Sequence, residues 1–166
     1  FLDRLDFSLS EYANRINLIQ KYNAQNPKWM EQTNTKIIVN GVNIKDSLVP
    51  RVPLKDPSFI VNGRIAPSKK IDIILESFFK FKLKFKNASL HFYGKAETCD
   101  LKWANIVVQK YPGVYWHGQD SSLNFYNNQY TAQITLGINQ GCPNAILEAL
   151  SANLAVIAND SGGTRE

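Results

Sequence analysis

From Ser58 onward, short β-type runs alternate with helical stripes, and this alternation constrains the fold more than any other feature of the chain. Phe59–Ile65, Ala88–Gly94, Val114–Gly118, Ala132–Ile138 and Leu154–Ala158 each read as a strand, bounded by Gly, Pro, Asn or Asp. Between the first two, Ile71, Ile74, Leu75, Phe78, Phe79 and Phe81 form an apolar stripe. The stripe predicts a helix starting near Lys69, with Ser68 as its N-cap. Thr98–Lys110 and Ser121–Tyr130 predict two further helices, and the run through Ala145, Ile146, Leu147, Ala149 and Leu150 a fourth. Strands alternating with helices imply βαβ units. The fold class is therefore α/β, a Rossmann-like parallel sheet with helices on both faces. Sheets of this kind bind ligands beyond the carboxyl ends of their strands.

The first third is less regular. Ser8–Tyr22 carries Tyr12, Ile16, Leu18 and Ile19 near helical spacing, with Glu11 and Arg15 at i,i+4, and predicts a helix. Lys36–Val39 is a short β-type run that ends in the turn Asn40-Gly41-Val42-Asn43. Asp46–Pro57 holds Pro50, Pro53 and Pro57 without an apolar period and reads as a linker. The chain so divides into residues 1–35, a linking segment at 36–57 and an α/β unit at 58–166. It opens on Phe1 and reads as a piece of a longer protein.

Hydrophobic residues make up 44% and charged residues 20%, which excludes a disordered chain. No apolar run approaches the ~18 residues that span a bilayer, and no signal-peptide pattern is present. The net charge of +5 favours anionic partners. Lysines concentrate at Lys80, Lys82, Lys84 and Lys86, interleaved with Phe81, Leu83 and Phe85. The favoured reading is a helix end whose lysines extend along the surface while the phenylalanines enter the core; a nucleic-acid or membrane patch is the other. Cys99 and Cys142 fit no metal spacing, and two cysteines suit a reducing, cytoplasmic compartment.

Residues with chemical potential sit after strands. Gly63, Arg64 and Lys69 follow the first, and a guanidinium and an ammonium converging there suit a diphosphate. Gln140, Gly141, Cys142, Pro143 and Asn144 form a turn into the fourth helix, with Pro143 expected in its first turn. A helix start is an anion site. Glu148, about two turns along, is placed to accept hydrogen bonds from sugar or ribose hydroxyls. His117 reads as a packing residue at a strand end, because one His without a partner is a poor catalytic group.

Four of these segments, in this order, resemble the motifs of a known family. Ile38–Asn43 is similar to its "NGVD" opening of the second domain, and Gly63–Asp72 to its "GRLxxxKG" loop. Gln140–Ala149 is similar to "EGxPNxxLEA", and Val156–Glu166 to "VIATDxGGxxE". The chain resembles the donor-binding half of a retaining glycosyltransferase of group 1, family 4, built from two facing Rossmann-like domains. The resemblance covers about residues 36–166 and makes residues 1–35 the end of the acceptor domain. It implies transfer of a hexose-type sugar from a nucleotide-diphosphate sugar, a substrate and not a cofactor, to an acceptor glycan or lipid held by the other domain. Arg64 and Lys69 would neutralise the diphosphate during transfer, and Glu148 would hold the ribose hydroxyls. Gln140 stands where the family has its first Glu, an uncharged amide facing the donor sugar. Lys70 replaces a usual Gly, and Gly137 a common Ser. The resemblance implies no metal ion; beside it, the expected setting is cytoplasmic, with room for peripheral membrane contact, and no nucleic acid is expected as a partner. A nucleotide-binding regulatory module without catalysis is the alternative.

Overall fold

The computed structural model describes residues 16–19, 34–37, 40–44, 50–96, 110–120, 123, 129–138 and 143–165. Two short strands, β1 (Ile16–Ile19) and β2 (Asn34–Ile37), pair in parallel as a separate two-stranded sheet. The helix expected over Ser8–Tyr22 is thus a strand where it is described. Register pairing of Ile16 to Asn34 through Ile19 to Ile37 supplies backbone partners that override a local i,i+4 pattern.

The main sheet holds β3 (Ser58–Asn62), β4 (Ser89–Tyr93), β5 (Val114–Trp116), β6 (Ala132–Thr135) and β7 (Ala155–Ala158). All pairings are parallel, and the order is β5-β4-β3-β6-β7. This is the expected Rossmann-like α/β architecture. Each strand is shorter than its apolar run, and β3, β5 and β6 end early because the chain bends into loops at the carboxyl rim. At that rim Gly63, Gly94 and Gly118 all take positive φ.

Helix α1 (Ile71–Lys82) crosses from β3 to β4. Its buried Ile71, Ile74, Leu75 and Phe78 meet Phe59, Val61, Leu90, Phe92, Val114 and Ala132 on one face of the sheet. Edge-to-face contacts join Phe59 to Phe78 and Phe81, with centroids 6.5 and 5.2 Å apart. Ser68 is not the N-cap. Pro67–Lys69 forms a single 3-10 turn, and Lys70 precedes α1 in a left-handed conformation at φ 52°. At the other end, Lys82 donates to the Pro112 carbonyl at 2.6 Å, Phe81 stacks on Phe85, and Lys80 pairs with Glu76. The lysines therefore line the surface while the rings pack, as the sequence favoured.

Helix α2 (Asn144–Ser151) joins β6 to β7 on the opposite face. There Ile60, Tyr130, Ala149, Ala152 and Leu154 form a smaller apolar cluster. Pro143, expected within the first turn, is instead the N-cap, extended at φ −74° and ψ 118°. The proline-rich stretch around Arg51 has no helix or strand, but it is anchored: Arg51 donates to the Ala152 carbonyl from both Nε (3.2 Å) and Nη2 (3.0 Å). Most of the helices expected at Thr98–Lys110 and Ser121–Tyr130 lies outside the described residues.

Candidate functional site

Strand β3 sits where the order of the sheet reverses, with β4 on one side and β6 on the other. Connections leave in opposite directions from such a point and open a crevice at the carboxyl ends. The loop after β3 is held firmly. Gly63 N–H donates to the Tyr93 carbonyl at 2.8 Å, and Ile65 N–H to the Lys95 carbonyl at 3.0 Å. A side chain on Gly94 would collide with the Gly63 carbonyl, so two loop backbones approach closely there. Nothing stands within 4 Å of where a Gly63 Cβ would sit, so that position is open.

This loop presents Arg64 as an exposed residue and Lys69 as a half-buried one. Burial holds the Lys69 ammonium below its ordinary range, and repulsion from the Arg64 guanidinium lowers it further. The two cations are therefore near enough for each to feel the other's charge.

Opposite the loop, the N-cap residue of α2 makes no side-chain cap hydrogen bond. Asn144, a residue type that often caps helices, is engaged elsewhere: its Oδ1 accepts from Asn40 Nδ2 at 2.8 Å. Glu148 lies on an exposed turn of α2, and its Oε2 accepts a long hydrogen bond from Asn62 Nδ2 at 3.5 Å. Asn62 ends β3, two residues before Arg64. The carboxylate and the cationic loop thus share one rim. Partial burial of its carboxyl pushes Glu148 above the usual carboxylate range. Pro143 and Asn144 lie at the start of α2, facing the Asn40 turn; Gln140, Gly141 and Cys142 fall outside the described residues.

Asn62, Asn40 and Arg51 were not legible as parts of this region. Their partners lie 86, 104 and 101 residues away, and no local pattern marks such contacts. Asn159 is another. It holds Gly137 with two hydrogen bonds, accepting at 3.0 Å and donating at 2.8 Å, and ties the loop after β6 to the end of β7. His117, read as a packing residue, stacks on Tyr93 with centroids 4.3 Å apart and lies 2.9 Å from His91 Nδ1. Among the described residues no group of three or more His, Cys, Asp or Glu could hold a metal ion.

Two cations and a helix start at one rim can hold a polyanion, and a carboxylate further along α2 can accept hydroxyl groups. With the reversal point of a parallel sheet, this is the layout of a Rossmann-like α/β unit. The family model for Glycosyl transferases group 1 matches residues 56–166, and the chain belongs to that family. No curated protein matches. Among solved structures, TarM of S. aureus, in complex with fondaparinux, alpha-GlcNAc-glycerol and UDP, is similar at a TM-score of 0.72 and 19% identity, over 98% of this chain and 34% of that one. The pneumococcal O-GlcNAc transferase GtfA, with UDP and GlcNAc, is similar at 0.65 and 20%, over 96% and 33%. Anabaena HepE, with UDP and glucose, is similar at 0.68 and 15%, over 99% and 49%. These likenesses show the fold. The chain spans about a third to a half of each of these proteins.

Proposed function

We propose that the chain is the donor-binding part of a retaining glycosyltransferase. In this reading a nucleotide-diphosphate sugar lies at the carboxyl rim of β3 and β6. Arg64 and Lys69 take the diphosphate with the start of α2, and Glu148 takes the ribose hydroxyls. The observation that carries the reading is the Asn62–Glu148 contact, which brings the carboxylate to the same loop as Arg64. A hexose-type sugar then passes to a glycan or lipid acceptor bound by the rest of the protein, in the cytoplasm. The donor enters as substrate, and no cofactor is needed.

Cleavage of a glycosyl phosphate drives negative charge onto the departing diphosphate. Fixed cations stabilise that charge more than they stabilise the bound donor, and this difference accelerates the step. The half-buried Lys69 is less screened by water than an exposed lysine. UDP is the favoured nucleotide, because GtfA and HepE were both crystallised with it.

Calorimetry with UDP, GDP and ADP tests the proposal. One diphosphate is expected to bind selectively, and Glu148→Ala is expected to weaken it tenfold or more, about 1.4 kcal/mol. Equal affinity in that variant would remove Glu148 from the site. Gln140 supports a second reading, a module that binds donor without turning it over. Turnover by the intact protein, restored or raised in Gln140→Glu, separates the two.

A further inference from the structure

The end of the sheet away from the candidate site carries a surface that donor binding does not use. Strands β3, β4 and β5 are parallel neighbours, so the turns before them share one end of the molecule. These turns are Lys55-Asp56, Leu83–Asn87 and Lys110–Gly113. Side chains stitch them together. Asn87 Nδ2 donates to Asp56 Oδ1 at 3.1 Å, and Lys82 Nζ reaches the Pro112 carbonyl.

At the centre Leu83 is 82% exposed, beside Phe85 at 38%. Lys55, Lys84, Lys86 and Lys110 are exposed around them, with Lys82 half-buried. Three acids lie nearby: Asp56 accepts from the neutral Asn87 amide and keeps its charge, Asp72 lines the same hollow as Leu83, and Glu76 pairs with Lys80 at 2.7 Å. The result is a projecting aliphatic side chain at an end of the molecule where lysines outnumber acids.

We propose that this end is a docking surface for an anionic lipid bilayer. Leu83 enters the boundary between headgroups and acyl chains, and the lysines meet the headgroups. Nucleic acid fits less well. Single strands bind through open aromatic faces, whereas Phe85 is stacked on Phe81 at 4.5 Å and the most exposed apolar side chain is a leucine. The surface is independent of the donor-site reading, since it shares no residue with it.

The test is cosedimentation of the intact protein with vesicles of phosphatidylcholine, with and without one-third phosphatidylglycerol. Binding is expected only to the anionic vesicles and is expected to weaken as salt rises. Leu83→Ser should lower partitioning about tenfold. Lys84→Glu with Lys86→Glu should lower it several hundredfold, about fivefold for each unit of charge. Both variants alter exposed positions and should keep the wild-type thermal shift with a nucleotide diphosphate. Wild-type protein that ignores anionic vesicles overturns the proposal, as do variants that partition like wild type. Binding of a single-stranded oligonucleotide more tightly than vesicles, lost in the same variants, also overturns it.

Discussion

The two faces of the main sheet are built from different chemistry. The face under α1 is almost wholly apolar, with Phe59, Val61, Leu90, Phe92 and Val114 packed on Ile74, Leu75 and Phe78. The face under α2 alternates Ser58, Ile60 and Asn62 on β3 with Ser89, His91 and Tyr93 on β4 and Gln133 and Thr135 on β6. Its polar groups are mostly joined to one another. Ser89 bonds Ser58 at 3.0 Å, His91 bonds Ser89 and His117, Tyr93 bonds Tyr130 at 2.8 Å, and Gln133 donates to Thr135. Gln133 Oε1 alone is a buried acceptor without a partner among the described residues. One face of the sheet buries area to hold the fold. The other gives up some of that burial to place polar groups beneath the candidate site.

The largest effect should come from the apolar face. Phe78→Ala empties a position that is 3% exposed and should cost about 3–5 kcal/mol, read as a lower midpoint in denaturant. A smaller loss than a matched truncation on the polar face would break the comparison. Next, the proposed donor site predicts that Arg64→Ala cuts turnover of the intact protein about a hundredfold, near 2.7 kcal/mol, with stability unchanged. Near-normal turnover would remove Arg64 from the proposed site.

Acid should act through the polar face. Burial, and then the nearby His117, push His91 down to about 4, so the folded protein keeps it neutral where the unfolded chain takes up a proton. The unfolded state then holds more protons, and stability falls as pH drops from the ordinary histidine range toward 4. Thermal melts across that window check this, and His91→Gln should flatten the slope. The smallest effect concerns Glu148. Its folded pKa is raised, so ionising it opposes folding above the ordinary carboxylate range. Glu148→Gln should therefore melt at or slightly above the wild-type temperature at neutral pH while losing nucleotide affinity. A clear drop in melting temperature would give Glu148 a structural role instead.

The apolar face was legible in the sequence because burial repeats: every third or fourth residue of α1, every second residue of β3 and β4. The polar face was not. Asn62 looks like any strand-end amide until the fold brings Glu148 to it, and His91 and His117 become a pair only when β4 and β5 align Phe92 with Trp116. The strand at Ile16–Ile19 is hidden for the same reason, since its pairing with Asn34–Ile37 is not a local signal. Lys70 was unexpected because a lysine carries no mark of the left-handed turn that delays α1. The nearness of Arg64 and Lys69 is legible because one short loop joins them.

The segment before the main sheet grasps α2 at both tips: Asn40 at its first residue and Arg51 at the carbonyl just past its last. A helix held at both tips from outside takes part of its position from those two contacts. A shift of Asn40 or of Arg51 therefore pulls on α2 and, through it, on Glu148 and the amides at its start, so the geometry of the rim is set in part from outside the sheet that forms it.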